Sequence, residues 1–255
     1  MSTDTPDDGT DSDSSADGNS ATIDLSPDPP TVDSAFTTAD MEGAIAEALE
    51  SDEDELSHVE LNPQTFHAST IGHTRRKMLI SKCGLETHNV GTLGTFKTGE
   101  LIHEWLERNL ELDGAEMELP VETTTDGIRF VGTADCVDHE NNMIFDFKSR
   151  ASWHQFNPPV QRHIDQVLVY MKCLGFSHGK IVYISKKDLE VRTWPQEGAF
   201  QFDPDRYKAL VKKAQSVRDA IIENGIPMQA EDIPFEKGNN WISQQEELRP
   251  WMRSD

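Results

Sequence analysis

The stretch from Ile128 to Arg150 constrains this chain more than any other. It reads IRFVGTADCVD, then HENN, then MIFDFKSR, two runs rich in apolar and β-branched residues on either side of a four-residue polar connection. That is the pattern of a β-hairpin. Centring the turn between Glu140 and Asn141 sets Asp135 opposite Asp146, Thr133 opposite Lys148, Ala134 opposite Phe147 and Cys136 opposite Phe145. Side chains alternate across a strand, so Ile128, Phe130, Ala134, Cys136, Met143, Phe145 and Phe147 are expected on one apolar face. Asp135, Asp146 and Lys148 then share the other.

Directly opposed residues have Cβ atoms about 4.5–5.5 Å apart, and like charges placed so repel. Two carboxylates at that separation call for a cation between them. Mg²⁺ suits the arrangement, because it is commonly held by one or two carboxylates together with substrate phosphate and water. Lys148, two residues after Asp146 on the same face, is placed to orient a metal-bound water or to help deprotonate it. Carboxylates, metal and lysine together make a site for phosphodiester hydrolysis. The competing reading is an ordinary solvated hairpin face. Val131, Val137 and Ile144 count against it, because they share that face and make the charges costly without a function.

Charge decides which partners remain open. The chain has 46 acids against 23 bases and a net charge of -23, but residues 1–60 contain no Lys or Arg and hold 18 of the acids. The remainder is close to balance, so the acidity does not exclude nucleic acid as a partner of the body. Residues 1–38 are rich in Asp, Ser, Thr and Pro and poor in aromatics, a composition that buries too little apolar surface to offset its ordering entropy. We expect a disordered acidic tail there, a short helix and acidic linker over 39–60, and one domain over 61–255. The Asp-rich excess suits a high-salt, archaeal cytoplasm, in a host or virus-encoded protein. No run approaches the ~18 apolar residues of a membrane span, and the N-terminus lacks a signal peptide, so an intracellular protein is expected. Cys83, Cys136 and Cys173 are widely spaced and form no CxxC pair, which argues against a disulfide framework and a zinc ribbon.

Around the hairpin, helical signals recur. Met41, Ile45 and Leu49 are spaced for a short helix from Thr38 to Leu49, followed by the acidic run Ser51 to Glu55. A second helix is expected from Ser69 or Thr70 to just before Gly84. It carries Arg75, Arg76 and Lys77, the densest positive charge in the chain, and Arg75 and Arg76 are candidate phosphate contacts. A third runs from about Thr98 to Leu110, with His103 at the edge of its apolar stripe; alone, that histidine reads as a boundary residue. A fourth, Val160 to Leu174, closes at Gly175 and sets Gln166 and Tyr170 one turn apart. Strands are expected at Lys180–Ser185 and Glu190–Trp194, and a last helix over Pro204–Asn224, capped by Asp203 and stopped by Gly225.

These residues carry a resemblance. GTAD at Gly132–Asp135 and DFK at Asp146–Lys148 resemble the GxxD and (D/E)xK motifs of the PD-(D/E)XK nuclease superfamily, and QVLVY at Gln166–Tyr170 resembles the QxxxY helix of its RecB-like exonuclease branch. GELIHEWLE, with His103, is similar to that branch's first motif, and ASTIGHTRRKMLI to the arginine-bearing segment that opens the CRISPR-associated RecB-like exonucleases. The resemblance implies a restriction-endonuclease-like α/β core, a mixed central sheet flanked by helices. It implies His103, Asp135, Asp146 and the Phe147 carbonyl as ligands of Mg²⁺ or Mn²⁺, and Lys148 as the catalytic lysine. Gln166 and Tyr170 would buttress the lysine or touch DNA.

One departure separates the chain from the CRISPR-associated group, whose members hold an iron-sulfur cluster on four cysteines. Here His73 stands at the first position, and no cysteine follows Cys173. We therefore expect no iron-sulfur cluster, and a C-terminal segment, Ile226–Asp255, that closes on the body by packing through Trp241 and Trp251. The function expected from this sequence is a divalent-metal-dependent DNA nuclease, an exonuclease on single strands or ends, in recombination, repair, replication or virus genome processing. An endonuclease on the same fold and a non-catalytic nucleic-acid-binding module are the alternatives.

Overall fold

A computed structural model describes residues 38–56, 61–238 and 248. The chain divides into two compact units, residues 1–41 and 42–255. Of the first, only the opening turn of α1 is described, so the expected tail lies outside the described residues, as do Trp241 and Trp251. Helix α1 spans Thr38–Leu56. It runs through the acidic segment Ser51–Glu55, where a linker was expected. No described helix is long and apolar enough to cross a membrane.

The second unit is a seven-stranded mixed sheet with helices on both faces, as expected. Its strands are β1 (Thr65–His67), β2 (Ala115–Thr125), β3 (Ile128–Asp138), β4 (Met143–Arg150), β5 (His178–Ser185), β6 (Val191–Trp194) and β7 (Phe200–Gln201). The order is β1-β3-β4-β5-β6, with β2 on the far edge of β3 and β7 on β5. Strands β3 and β4 pair antiparallel in the expected register, Cys136 with Phe145, Val137 with Ile144 and Asp138 with Met143. Beyond Cys136 they part, and β1 takes the same edge of β3 at Arg129–Val131. Residues 132–135 therefore border an opening in the sheet.

That opening changes the expected faces. Ile128, Phe130, Ala134, Val137 and Ile144 belong to the main core, with α3 (Arg75–Lys82), α5 (Gln161–Leu174) and α6 (Pro204–Asn224). Cys136 and Phe147 belong to a second, smaller cluster with Leu106 of α4 (Val90–Asn109) and Ile184. The single apolar face expected of the hairpin is thus divided between two cores, and both its sides are buried. A three-strand environment with helices above and below leaves no solvated face.

Helix ends follow local chemistry. Asp203 caps α6 by accepting the N–H groups of Asp205 and Arg206 at 3.0 and 2.9 Å, with Pro204 in the first turn where its missing N–H costs nothing. Gly175, at φ 70°, closes α5 in the left-handed conformation. The helix expected from Ser69 to Gly84 is instead two, α2 (Ala68–Ile71) and α3, broken at Gly72. A Cβ on Gly72 would run into the backbone of Arg162, so the break lets the start of α5 come close.

Candidate metal and phosphodiester site

At the opening between β3 and β4, groups from both faces of the sheet meet. Asp135, at the end of the unpaired edge of β3, accepts the Phe147 backbone N–H at its Oδ2, 2.6 Å away. The carboxylate thus takes the place of a ladder hydrogen bond. Asp146 is fully buried on the main-core side of β4. Its Oδ1 accepts from Lys148 Nζ at 2.8 Å, and the same ammonium donates to the Phe147 carbonyl at 3.1 Å. Asp146 Oδ2 is buried with no hydrogen-bond partner among the described residues. From the other face, α4 brings His103, whose Nδ1 stands 4.0 Å from Asp135 Oδ1.

A fourth group was not foreseen. Glu118 of β2 lies with His103 and Asp135, one donor atom of each within 4.8 Å of the others. It sits between the ladder pairs Met117–Cys136 and Leu119–Ala134, in a left-handed conformation at φ 50°. Such a backbone is uncommon for a residue with a side chain, and here it turns a carboxylate toward Asp135. The signal was available in the sequence only to a reader who had made Ala115–Thr125 a strand, since the β2–β3 register sets Glu118 across from Asp135.

The electrostatics show a site short of positive charge. Burial pushes the Asp146 carboxyl up; Lys148 opposes this and Asp135 adds to it. Burial pulls Lys148 down, but Asp146 and then Asp135 outweigh it and hold the ammonium above its ordinary value. Glu118 is pushed up to about 7, by burial first and then by Asp135 and Glu107. Burial lowers His103 more than Asp135 raises it, which leaves the ring neutral, the form that binds metal. In its protonated form Lys148 donates hydrogen bonds, here to Asp146 Oδ1 and the Phe147 carbonyl.

The donors fit a hard divalent cation. His103, Glu118 and Asp135 could hold one, with Asp146 adding the oxygen that now has no partner; oxygen-rich sets with one imidazole suit Mg²⁺ or Mn²⁺. Gln166 and Tyr170 lie in the interior, Gln166 Nε2 donating to Tyr170 Oη at 2.8 Å. Tyr170 sits in the field of Asp146 and Asp135, and burial drives its hydroxyl well above the ordinary tyrosine range. Gly132 makes room for it, since a Cβ there would lie 2.9 Å from Tyr170 Cε1.

Of the two arginines expected at phosphate, Arg75 is exposed and Arg76 is not. Arg76 is 3% exposed and donates to the carbonyls of Ala230 at 2.7 Å and Phe235 at 3.2 Å. It ties the C-terminal segment to α3 and is not available to DNA. The three thiols stand apart, Cys83 at the end of α3, Cys136 on β3 and Cys173 on α5, and burial pushes each up to about 11.

No protein-family model and no curated protein matches the sequence. Among solved structures, the chain is similar to SSO0001 at 19% identity and a TM-score of 0.50, over 69% of this chain and 86% of that one. It is also similar to the alkaline exonuclease LHK-Exo of Laribacter hongkongensis, at 12% identity, TM-score 0.45, 68% of this chain and 94% of that one. A third is a phage-related exonuclease from Haemophilus somnus 129PT, at 13% identity, TM-score 0.32, 74% and 85%.

Proposed function

We propose that this chain is a divalent-metal-dependent DNA nuclease that hydrolyses phosphodiester bonds, acting as an exonuclease on single strands or ends. The observation that carries the reading is the convergence of His103, Glu118 and Asp135 beside a buried Asp146–Lys148 pair with one oxygen unpartnered. Buried carboxylates in that number are destabilising unless a cation joins them. His103, Glu118, Asp135 and Asp146 would hold a Mg²⁺ or Mn²⁺ ion, which would supply positive charge to a phosphate oxygen and activate water.

The protein's own groups would do the rest. Lys148, protonated and fixed by Asp146 and the Phe147 carbonyl, directs its remaining N–H toward the attacking water or the phosphate, stabilising the charge that builds there. Tyr170, held by Gln166, keeps the two aspartates' surroundings rigid and dry; both are positioning residues. Arg75 on the exposed face of α3 holds DNA phosphate. The reading includes no iron-sulfur cluster, because three scattered thiols do not form its ligand set.

The test is cleavage of end-labelled single- and double-stranded DNA and of covalently closed circles with Mg²⁺, Mn²⁺ or EDTA, at low and high KCl. Expected are products only with a divalent ion, and only from DNA with ends. Cleavage of closed circles would make the enzyme an endonuclease. Absence of cleavage with every ion and substrate would overturn the nuclease reading.

A further inference from the structure

Past Lys148, strand β4 ends at Arg150, and a column of two rings between two cations begins there. The Arg150 guanidinium stands 4.1 Å from the centre of the Phe156 ring, Phe156 lies 5.7 Å from Trp153, and the Arg192 guanidinium stands 4.4 Å over Trp153. Phe156 also meets Tyr183 edge-on at 4.7 Å. Beside the column is a cleft of about 540 Å³ lined by Phe156, Asn157, Arg192, Trp194 and Gln196, among others. Val191 at its rim is 54% exposed. Among the described residues no acid lines the cleft.

From the site-facing strand the path is short. Lys148 pairs in register with Tyr183, and Tyr183 with Arg192, so the three share one face on adjacent strands. At the usual strand spacing the backbones of Lys148 and Arg192 are roughly 10 Å apart. That is the reach of about three stacked nucleotides.

We infer that this column and cleft form a nucleobase-stacking subsite for a single DNA strand whose phosphate lies at Lys148. The inference rests on the nuclease reading for what the neighbouring site does, not for the subsite itself. Rings and guanidinium planes accept any base face, and the arginines add attraction to the backbone, which is how proteins hold unpaired strands without reading sequence. Asn157 and Gln196 offer amide groups to a base edge. A purely structural plug would satisfy its donors, yet Trp153 Nε1 and Arg150 Nε are both buried without an acceptor among the described residues. Among the described residues Arg192 rests on the Trp153 ring and pairs with exposed Glu190, Nε to Oε1 at 3.0 Å, two surface contacts that a base could displace.

The experiment compares binding of two fluorescein-labelled oligomers of equal length and charge, an oligothymidylate and its abasic counterpart, to the full chain with Ca²⁺ and without a cleaving ion. Wild type should prefer the base-bearing strand by roughly tenfold, the worth of about one stacked base. Arg192→Glu, at an exposed position, and Trp153→Leu should each bring the two oligomers to similar affinity, while Trp153→Phe keeps most of the preference. Circular dichroism checks that each variant folds. Equal affinity of wild type for the two oligomers, or an undiminished preference in folded Arg192→Glu, would overturn the subsite. Cleavage by wild type with no base preference removes the subsite and leaves the nuclease reading. Base preference without cleavage under any ion does the reverse.

Discussion

Two buried charges in this molecule, Arg76 and Asp146, have opposite fates. Arg76 of α3 is 3% exposed and Asp146 of β4 is 0% exposed, so each has lost nearly all its hydration. The guanidinium recovers it by donating to the Ala230 and Phe235 carbonyls. The carboxylate recovers half, through Lys148 at Oδ1, and leaves Oδ2 without a partner among the described residues. Burial alone therefore does not mark a site. A charge whose partners are all supplied by the fold is a staple, and one left short asks for something the fold does not contain.

Removing each charge in turn separates the two roles most directly. Asp146→Ala and Lys148→Ala should abolish DNA cleavage, a loss of at least about a thousandfold for removing a group that stabilises transition-state charge. Calorimetric titration with Mn²⁺ should then show weakened metal binding in Asp146→Ala and near-normal binding in Lys148→Ala. Full cleavage by either variant would show that the pair is structural after all. Arg76→Ala should lower stability by about 3 kcal/mol, because two carbonyls lose a charged donor. Denaturant unfolding measures this, and a change below about 1 kcal/mol would mean that the C-terminal segment is held by other contacts.

The same contrast shows what was legible in the sequence. The β3–β4 register could be read, because two apolar runs flank one short turn and only one centring fits both. Helices α5 and α6 could be read from Gly175, Asp203 and Pro204, whose effects are local. Arg76 could not, since its partners lie 154 and 159 residues away and adjacent Arg75 is exposed. Strand β2 is hard to read because AEMELPVETTT carries three acids and a proline, which is tolerated there because, among the described strands, β2 pairs only with β3. With the strand went Glu118, and with Glu118 one corner of the metal set. The opening that divides the hairpin's apolar face depends on β1 arriving from more than sixty residues upstream, which no local pattern reports.

Changing pH has a smaller effect on the acids of the site. Glu118 stands at about 7 in the native state against an ordinary 4.5, so across that window the folded protein holds a proton that the unfolded chain has released. Stability of the metal-free protein should therefore decline as pH rises from about 4.5 to about 7 and level off above. Asp146, also raised, adds to the slope. Glu118→Gln should flatten part of the decline, and Glu118→Gln with Asp146→Asn the rest. Saturating Mn²⁺ should restore stability most at high pH, where the ligands are deprotonated. A metal-free melting temperature that rises over this range would refute the assignment.

The smallest effect belongs to charge that is neither buried nor stapled. Residues 1–38 carry nine acids and no Lys or Arg, and their sequence offers no periodic apolar face to bury. Whatever their arrangement, they add negative charge to a chain proposed to bind a polyanion. Deleting them should leave the unfolding midpoint of the body nearly unchanged and tighten binding of labelled single-stranded DNA a few-fold at low salt. The gain must fade as salt rises, because at 0.1 M the screening length is only about 10 Å and shortens to about 3 Å at 1 M. A gain that persists at molar KCl would require direct occlusion of the binding face by the tail. A large loss of thermal stability would mean the segment packs on the body, and its acids would then have to be counted with those of the site.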